Sequence, residues 1–293
     1  MTTTETVSPR FATLEDWPST DLVEAIVEGQ LAAVAAVRAA GPALARAIDA
    51  ASERLARGGR LVYMGAGTSG RIAAQDCAEL PPTFAWPSSR SLVFMAGGPT
   101  ALTEAAEGAE DNEAEARDAL DAAGIGLDDV VIGVAASGNT PFTLAGLDRA
   151  GAAGALTIGV YNNGQGRMAA HCLIPVLADT GAEIVAGSTR MKAGTAQKVV
   201  LNTLSTGIMI RLGYVYRGRM VEMRPTNIKL EQRAIAMVAD LADASPEKAA
   251  EALALAGGSI KLATLMLARN LDIGPARAAL DAAGGLLRDA LRS

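Results

Sequence analysis

"LVYMGAGTSGR", residues 61–71, runs an apolar stretch, Leu61 to Met64, into glycines at positions 65, 67 and 70. G-x-G-x-x-G at the end of an apolar run reads as a strand turning into a helix, with the helix start presented to a phosphate. A dinucleotide fold needs a carboxylate as well, at the end of the second strand roughly 20 residues on. The second strand candidate, "SLVFMAGG" at 91–98, ends in glycines instead. A second stretch, "VVIGVAASGNTPF" at 130–142, repeats the first: an apolar strand, then Ser137-Gly138-Asn139-Thr140, then a helix. Neither loop has a Walker lysine. The hydroxyls of Thr68, Ser69, Ser137 and Thr140, with the backbone N–H groups of Gly67, Gly138 and Asn139, suit a compact sugar phosphate better than a pyrophosphate. For one loop alone, Ser137 and Thr140 read equally well as helix caps.

Outward from these loops, strands are expected at Leu61–Met64, Ser91–Met95, Val130–Val134, Leu156–Val160 and Leu173–Val176. Each is short and mostly apolar, as a parallel strand covered on both faces should be. Pro175 places the last at a sheet edge. Helical patterns separate most of them, the rhythm of a doubly wound, mainly parallel five-stranded α/β sheet. Before it, a long Ala-rich helical region reaches about Arg57, with a break near Gly41-Pro42. Asp21 is its expected N-cap, with Glu24 three residues on. A long helix is expected from Ser188 to Leu212, with helical segments on to Leu241. "SPEKAAEALALAGG", from Ser245, has Ser at the N-cap, Pro at N1 and Gly after the end. It opens a bundle of about three helices. The expected division is an N-terminal arm and helices at 1–57, a sugar-phosphate domain at 58–240 and a C-terminal helical bundle at 241–293.

Composition excludes several classes. The chain has 293 residues, 50% of them hydrophobic, so it buries a real core. Aromatics are only 3%, which predicts helices packed through small side chains. A net charge of −6 without any basic run argues against nucleic acid. No uncharged apolar run of about 18 residues is present, so no membrane span is expected. "MTTTETVSPRF" has no apolar h-region, and a cytoplasmic protein with two reduced thiols, Cys77 and Cys172, is expected. The single histidine, His171, lies beside Cys172 without G-x-S-x-G anywhere, so neither a hydrolase triad nor a metal site is expected.

"GAGTSGR" and "AASGNTPF" resemble the two phosphate loops of sugar isomerase (SIS) domains. "GAEIVAGSTRMKAGTAQKVVLNTLSTG", residues 181–207, resembles the signature shared by bacterial N-acetylmuramic acid 6-phosphate etherases and the glucokinase regulatory protein. "DCAELPPTF" and "AEGAED" match the etherase pattern, and the resemblance covers nearly the whole chain. The chain departs from it at Thr4-Glu5-Thr6-Val7-Ser8-Pro9, where the pattern reads T-E-x-x-N-P, and at Leu80, where it often has Cys.

The resemblance implies cleavage of the D-lactyl ether at C3 of N-acetylmuramic acid 6-phosphate. The products are N-acetylglucosamine 6-phosphate and D-lactate. No cofactor or metal is required, only a phosphate anchor, an acid and a base. Glu79 is the candidate proton donor. It is expected at the end of the helix that starts from the first glycine loop, just before Pro81-Pro82, in apolar company; both settings would raise a carboxyl pKa. Read without the resemblance, it is a surface glutamate at a frayed helix end. Glu104, Glu107 and Glu110 recur every three residues and read as one acidic helix face; only the resemblance selects Glu110 as the base. In "GSTRMKAGTAQK", Ser188 and Thr189 offer hydroxyls in a first helical turn. Arg190 or Lys192 would meet the substrate's carboxylate or phosphate, or else balance acids such as Glu183. SIS-type sites commonly lie at a homodimer interface. A non-catalytic sugar-phosphate-binding regulator is the alternative, and an aldose–ketose isomerase a third reading.

Overall fold

Side chains on alternate positions of the central strands are buried on both faces, which is why these segments read as unbroken apolar runs. The structure, a computed structural model, describes residues 3–104, 106–225 and 227–292. After short 3-10 turns at Thr3–Glu5, Pro9–Phe11 and Leu14–Asp16 come α1 (Ser19–Ala39) and α2 (Gly41–Ala56). Then follow β1 (Leu61–Gly65), α3 (Gly67–Phe84), β2 (Ser91–Met95), α4 (Glu113–Ala122), β3 (Val130–Ala135), α5 (Pro141–Ala152), β4 (Leu156–Tyr161), β5 (Ile174–Leu177) and α6 (Lys192–Arg211). The chain continues through β6 (Val215–Tyr216), β7 (Arg219–Met220), α7 (Ile228–Ala242), α8 (Pro246–Leu255), α9 (Ile260–Arg269), α10 (Ile273–Ala282) and α11 (Leu287–Ala290). It divides into two compact units, one of Met1–Ala78 and Ser88–Thr206, the other of Glu79–Pro87 and Gly207–Ser293.

In the first unit β1 to β5 form one parallel sheet in the order β2-β1-β3-β4-β5. All five expected strands are present, and β5, with Pro175, is at the edge. Val62 and Met64 of β1 and Val131 of β3 pack with Ala116 and Leu120 of α4 and Leu144 and Leu147 of α5. The intervening residues, Leu61, Tyr63 and Ile132, point to the opposite face and are equally buried. On that face the Tyr63 hydroxyl donates to Asp76 of α3 at 2.8 Å. Fully buried alanines, Ala33 of α1, Ala47 and Ala51 of α2 and Ala73 of α3, bear out the expected packing through small side chains. Asp129, just before β3, holds Arg60 just before β1 through hydrogen bonds at 3.0 and 2.6 Å.

In the second unit β6 and β7 form a short antiparallel hairpin. Val221, Met237, Val238, Leu253, Ile260 and Leu287 belong to the apolar core of α7 to α11. Ser245 caps α8 by accepting from the Lys248 N–H, with Pro246 at the first position. Asn227 and Ser259 cap α7 and α9 in the same way.

Three local expectations fail. α1 starts at Ser19 after Pro18, without a side-chain cap, so Asp21 lies in the first turn rather than at the N-cap. α6 starts at Lys192, four residues later than expected, because "GSTR" forms turns. The β6–β7 hairpin occupies part of the region from Leu212 to Leu241, where only helical segments are expected. Among the described residues no single helix is long and apolar enough to cross a membrane.

Candidate functional site

The strand order reverses between β1 and β3, which sit side by side with Gly65 opposite Val134. In open parallel sheets the ligand crevice lies at such a reversal, outside the carboxyl ends of the strands. The loops leaving β1 and β3 are the two hydroxyl-rich ones.

The first loop is closed by glycine packing. A Cβ on Gly65 would lie 2.9 Å from the Val134 carbonyl oxygen and 3.0 Å from the Gly70 nitrogen; one on Gly70 would lie 2.7 Å from the Gly65 oxygen. Gly67 turns the chain at φ +53° and starts α3, so Thr68 and Ser69 occupy the helix's first turn. Thr68 is half-buried and Ser69 buried. In the second loop Gly138 has φ +68°. The Ser137 hydroxyl accepts from the Asn139 N–H at 3.1 Å, and the Asn139 side-chain oxygen accepts from the Arg167 N–H at 3.1 Å. Asn163, wholly buried, donates to the Ser137 carbonyl at 3.3 Å. Thr140 stands at the N-cap of α5, yet its side chain makes no capping hydrogen bond. Two helix N-termini, each with half-buried hydroxyls, therefore end at neighbouring strands, a setting that favours an anion.

A cleft of about 280 Å³ opens against the first loop, lined by Ala66 and Gly67 and also by Glu107 and Glu110. Glu110 sits in a 3-10 turn, Ala109–Asp111, just before α4, whose N-cap Asn112 accepts from the Glu115 N–H. The three acids do not share a helix face: Glu104 and Glu107 lie outside any helix, and Glu110 lies in a separate 3-10 turn. The residues between them include Gly108 in the left-handed region, which breaks any helical period.

Glu79 is not at a helix end. α3 continues through Pro81 and Pro82 to Phe84, and the Ala85 N–H still reaches the Pro81 carbonyl at 2.9 Å. Leu80 and Phe84, one turn apart, are 2% and 7% exposed, and their burial outweighs the hydrogen bonds the prolines forfeit. Glu79 itself is exposed, five residues before the helix ends, not in the apolar helix-end setting expected.

The "GSTR" segment is held by Glu183, which by sequence offers only a balancing charge. Glu183, 1% exposed, accepts from the N–H groups of Lys192 and Ala193 at 3.0 and 2.9 Å and so caps α6. Ser188 and Thr189 lie in the turns before the helix, not in its first turn. A Cβ on Gly194 would lie 3.5 Å from the Thr189 carbonyl oxygen and 3.7 Å from the Thr68 methyl, so this segment and the first glycine loop adjoin. Arg190 is exposed. Lys192 is turned elsewhere: its ammonium donates to the Thr180 carbonyl at 2.9 Å and its stem crosses Gly29 of α1. It lines a second cleft, of about 260 Å³, with Ser8, Arg10 and Phe11. The N-terminal arm reaches the signature loop, where the Gly187 N–H donates to the Thr4 carbonyl at 3.0 Å and the Glu5 carboxylate lies against Gly187.

Asp76, 2% exposed, is a second buried carboxylate without a local sequence signal. It accepts from Tyr63 at 2.8 Å, Asn202 at 2.8 Å and Ser205 at 3.3 Å, tying α3 to α6 within the first unit. His171 and Cys172 diverge: the imidazole bonds Asp148 at 2.9 Å and the thiol donates to the Met168 carbonyl. Among the described residues no group of three or more His, Cys, Asp or Glu could hold a metal ion.

Residues 43–151 match the glucokinase regulatory protein N-terminal SIS domain. The chain is 49% identical over 288 residues to an N-acetylmuramic acid 6-phosphate etherase of Deinococcus radiodurans, covering 98% of this chain and 94% of that one. It is 43% identical to one of Enterobacter sp. (strain 638), covering 99% and 97%. A crystal structure from Bacteroides fragilis, of a protein assigned as a phosphosugar isomerase involved in capsule formation, shares the sheet architecture. Its TM-score is 0.50 at 20% identity, over 67% of this chain and 94% of that one. With identity this high across almost the full length of both chains, the protein belongs to the N-acetylmuramic acid 6-phosphate etherase family.

Proposed function

We propose that the protein cleaves the D-lactyl ether of N-acetylmuramic acid 6-phosphate, a carbon–oxygen lyase reaction of amino-sugar recycling. The observation that carries this reading is the pair of hydroxyl-rich helix starts flanking the β1/β3 reversal, with carboxylates in the lining of the adjoining cleft. Thr68, Ser69, Ser137 and Thr140, with the N–H groups of Gly67, Gly138 and Asn139, are assigned to the phosphate. Ser188 and Thr189 are assigned to the sugar, and Arg190 to the lactyl carboxylate, since the Lys192 ammonium is already engaged by Thr180.

The chemistry follows from the open-chain sugar. Its C1 aldehyde acidifies the C2 proton, which Glu110 removes as base. The aldehyde holds the electron pair as an enolate; in a second step the pair forms the C2–C3 double bond as the C3–O bond breaks, and Glu79 protonates the departing oxygen to release D-lactate. Water then adds at C3 of the unsaturated aldehyde, giving N-acetylglucosamine 6-phosphate. The Glu79 role rests on the family pattern and on the need for an acid. A regulator without catalysis is not favoured, because near full-length relatives at 42% identity and above are named etherases.

The working form is read as a cytoplasmic homodimer with the site near the interface. Val23, Val27, Leu31 and Val34 form an exposed apolar stripe on α1, 48–68% accessible, which suits a second copy. Incubation of purified protein with N-acetylmuramic acid 6-phosphate is expected to yield D-lactate and N-acetylglucosamine 6-phosphate in equal amounts. The unphosphorylated sugar should react at least about a hundredfold less efficiently, its remote binding energy lost. Absence of lactate from the phosphorylated sugar contradicts the reading.

A further inference from the structure

Glu107 and Glu110 lie in the loop between β2 and α4, whose described residues form no α-helix or strand. It contains two 3-10 turns and glycines with positive φ at 97, 98 and 108. Outside a helix or strand the loop carbonyls have no ladder to bond to, and here a side chain takes them: Ala101 is buried, Leu102 and Glu104 are exposed. At its near end, the Glu115 side chain accepts from the Gly97 N–H at 3.1 Å. Its middle is gripped from α3. The Arg71 Nε donates to the carbonyls of Ala101 and Leu102, each at 3.1 Å, and Nη2 donates to the carbonyl of Glu104 at 2.9 Å. Arg71 directly follows Gly70, whose packing on Gly65 locks the start of α3 to the sheet. Arg71 also lines the same cleft as Glu110. A rigid element thus holds the carboxylate-bearing loop through a planar fork that lysine cannot reproduce.

We propose that Arg71 is a positioning residue that fixes Glu110 over the first glycine loop by holding the carbonyls of 101, 102 and 104. The inference rests on the reading of Glu110 as the base. It separates Arg71 from the phosphate and carboxylate ligands: its work is done on the protein's own backbone, so substrate affinity is not what it controls.

The test compares Arg71→Met, Arg71→Lys, Glu110→Gln and the double variant Arg71→Met/Glu110→Gln. Lactate release gives kcat and KM, and calorimetry gives the Kd of N-acetylglucosamine 6-phosphate. Arg71→Met is expected to lower kcat about a hundredfold, the scale of a 1 Å misplacement, with KM and Kd within about threefold of the parent. Arg71→Lys, restoring charge but not the fork, is expected to remain at least about tenfold impaired. An unchanged Kd also certifies that the variants are folded, and if Arg71→Met does not fold, Arg71→Lys carries the same readings. In the Glu110→Gln background, Arg71→Met should cost less than about threefold more, because the group it positions is gone. Normal kcat in Arg71→Met alongside an impaired Glu110→Gln overturns the proposal. So does a Kd raised about tenfold or more in Arg71→Met, which would make Arg71 a ligand. A full second loss in the double variant overturns it as well. Full activity in Glu110→Gln removes the base assignment itself and the proposal with it, an outcome visible in the single variant.

Discussion

Replacing Glu183 by alanine tests whether the signature segment is built around a buried cap. The carboxylate is 1% exposed and receives the N–H groups of Lys192 and Ala193 at 3.0 and 2.9 Å. Hydrogen bonds to a charged group contribute about 1.5–3 kcal/mol each, whereas helix caps measured by alanine substitution fall at about 0.5–2 kcal/mol. Two such bonds in a site that water does not reach place the loss between these figures, at about 2–4 kcal/mol. At about 2–4 °C per kcal/mol for a chain of this size class, the midpoint of thermal unfolding should fall by roughly 4–16 °C. Glu183→Gln keeps the volume and one acceptor and should recover about half of the loss. Differential scanning calorimetry with urea titration measures both. Because the turns bearing Ser188 and Thr189 adjoin the capped end, affinity for N-acetylglucosamine 6-phosphate should fall with stability. A Glu183→Ala protein within about 0.5 kcal/mol of the parent refutes the reasoning, since that is the range of an ordinary surface change.

Burial pushes the thiols of Cys77 and Cys172 up to about 11, so at pH 8 only about a thousandth of either is thiolate. Both should resist iodoacetamide in the folded protein and react on denaturation; rapid stoichiometric labelling of the native chain contradicts this. At Asp129 burial raises the carboxyl pKa, but hydrogen bonds from Arg60 and from the N–H groups of Gly126 and Arg60 outweigh it and hold the group below its ordinary value. A depressed folded pKa contributes stability above the unfolded value, near about 3.9, and loses it as pH falls through the folded value. Asp129→Asn should therefore cost roughly 2–4 kcal/mol at pH 7 and progressively less below about pH 4. A cost that does not change between pH 7 and pH 3 in urea titrations contradicts the assignment.

What was legible in the sequence was what depends on local pattern. Parallel strands buried on both faces leave unbroken apolar runs, so β1 to β5 stood out, as did the Ser137 and Thr68 loops at their ends. Ser245-Pro246 marked α8 because a cap and its partner lie three residues apart. The misses depend on partners distant in sequence. Glu183 caps N–H groups nine and ten residues on, and Arg71 binds carbonyls 30 to 33 residues away, so neither leaves a local signature. Pro81 and Pro82 read as a stop, but buried Leu80 and Phe84 carry α3 past them, which removed the helix-end argument for Glu79. The spacing of Glu104, Glu107 and Glu110 was helical by coincidence in a loop. The β6–β7 hairpin was invisible because its strands have two residues each and its turn places Arg217, rather than Asn or Gly, at φ +47°.

The central claim, that two carboxylates divide an elimination between them, is tested most directly by proton exchange at C2. Glu79→Ala and Glu110→Ala are each incubated with N-acetylmuramic acid 6-phosphate in deuterium oxide, and mass spectrometry follows deuterium in the intact substrate while lactate release is assayed. Loss of a general acid or base costs about a hundred- to ten-thousandfold, so the effects stand clear of experimental scatter. Without the acid, the base still removes and returns the C2 proton: Glu79→Ala should incorporate deuterium into substrate while releasing little lactate. Without the base neither step proceeds, and Glu110→Ala should do neither. Exchange retained in Glu110→Ala and lost in Glu79→Ala reverses the roles, and near-normal lactate release from both variants contradicts the account.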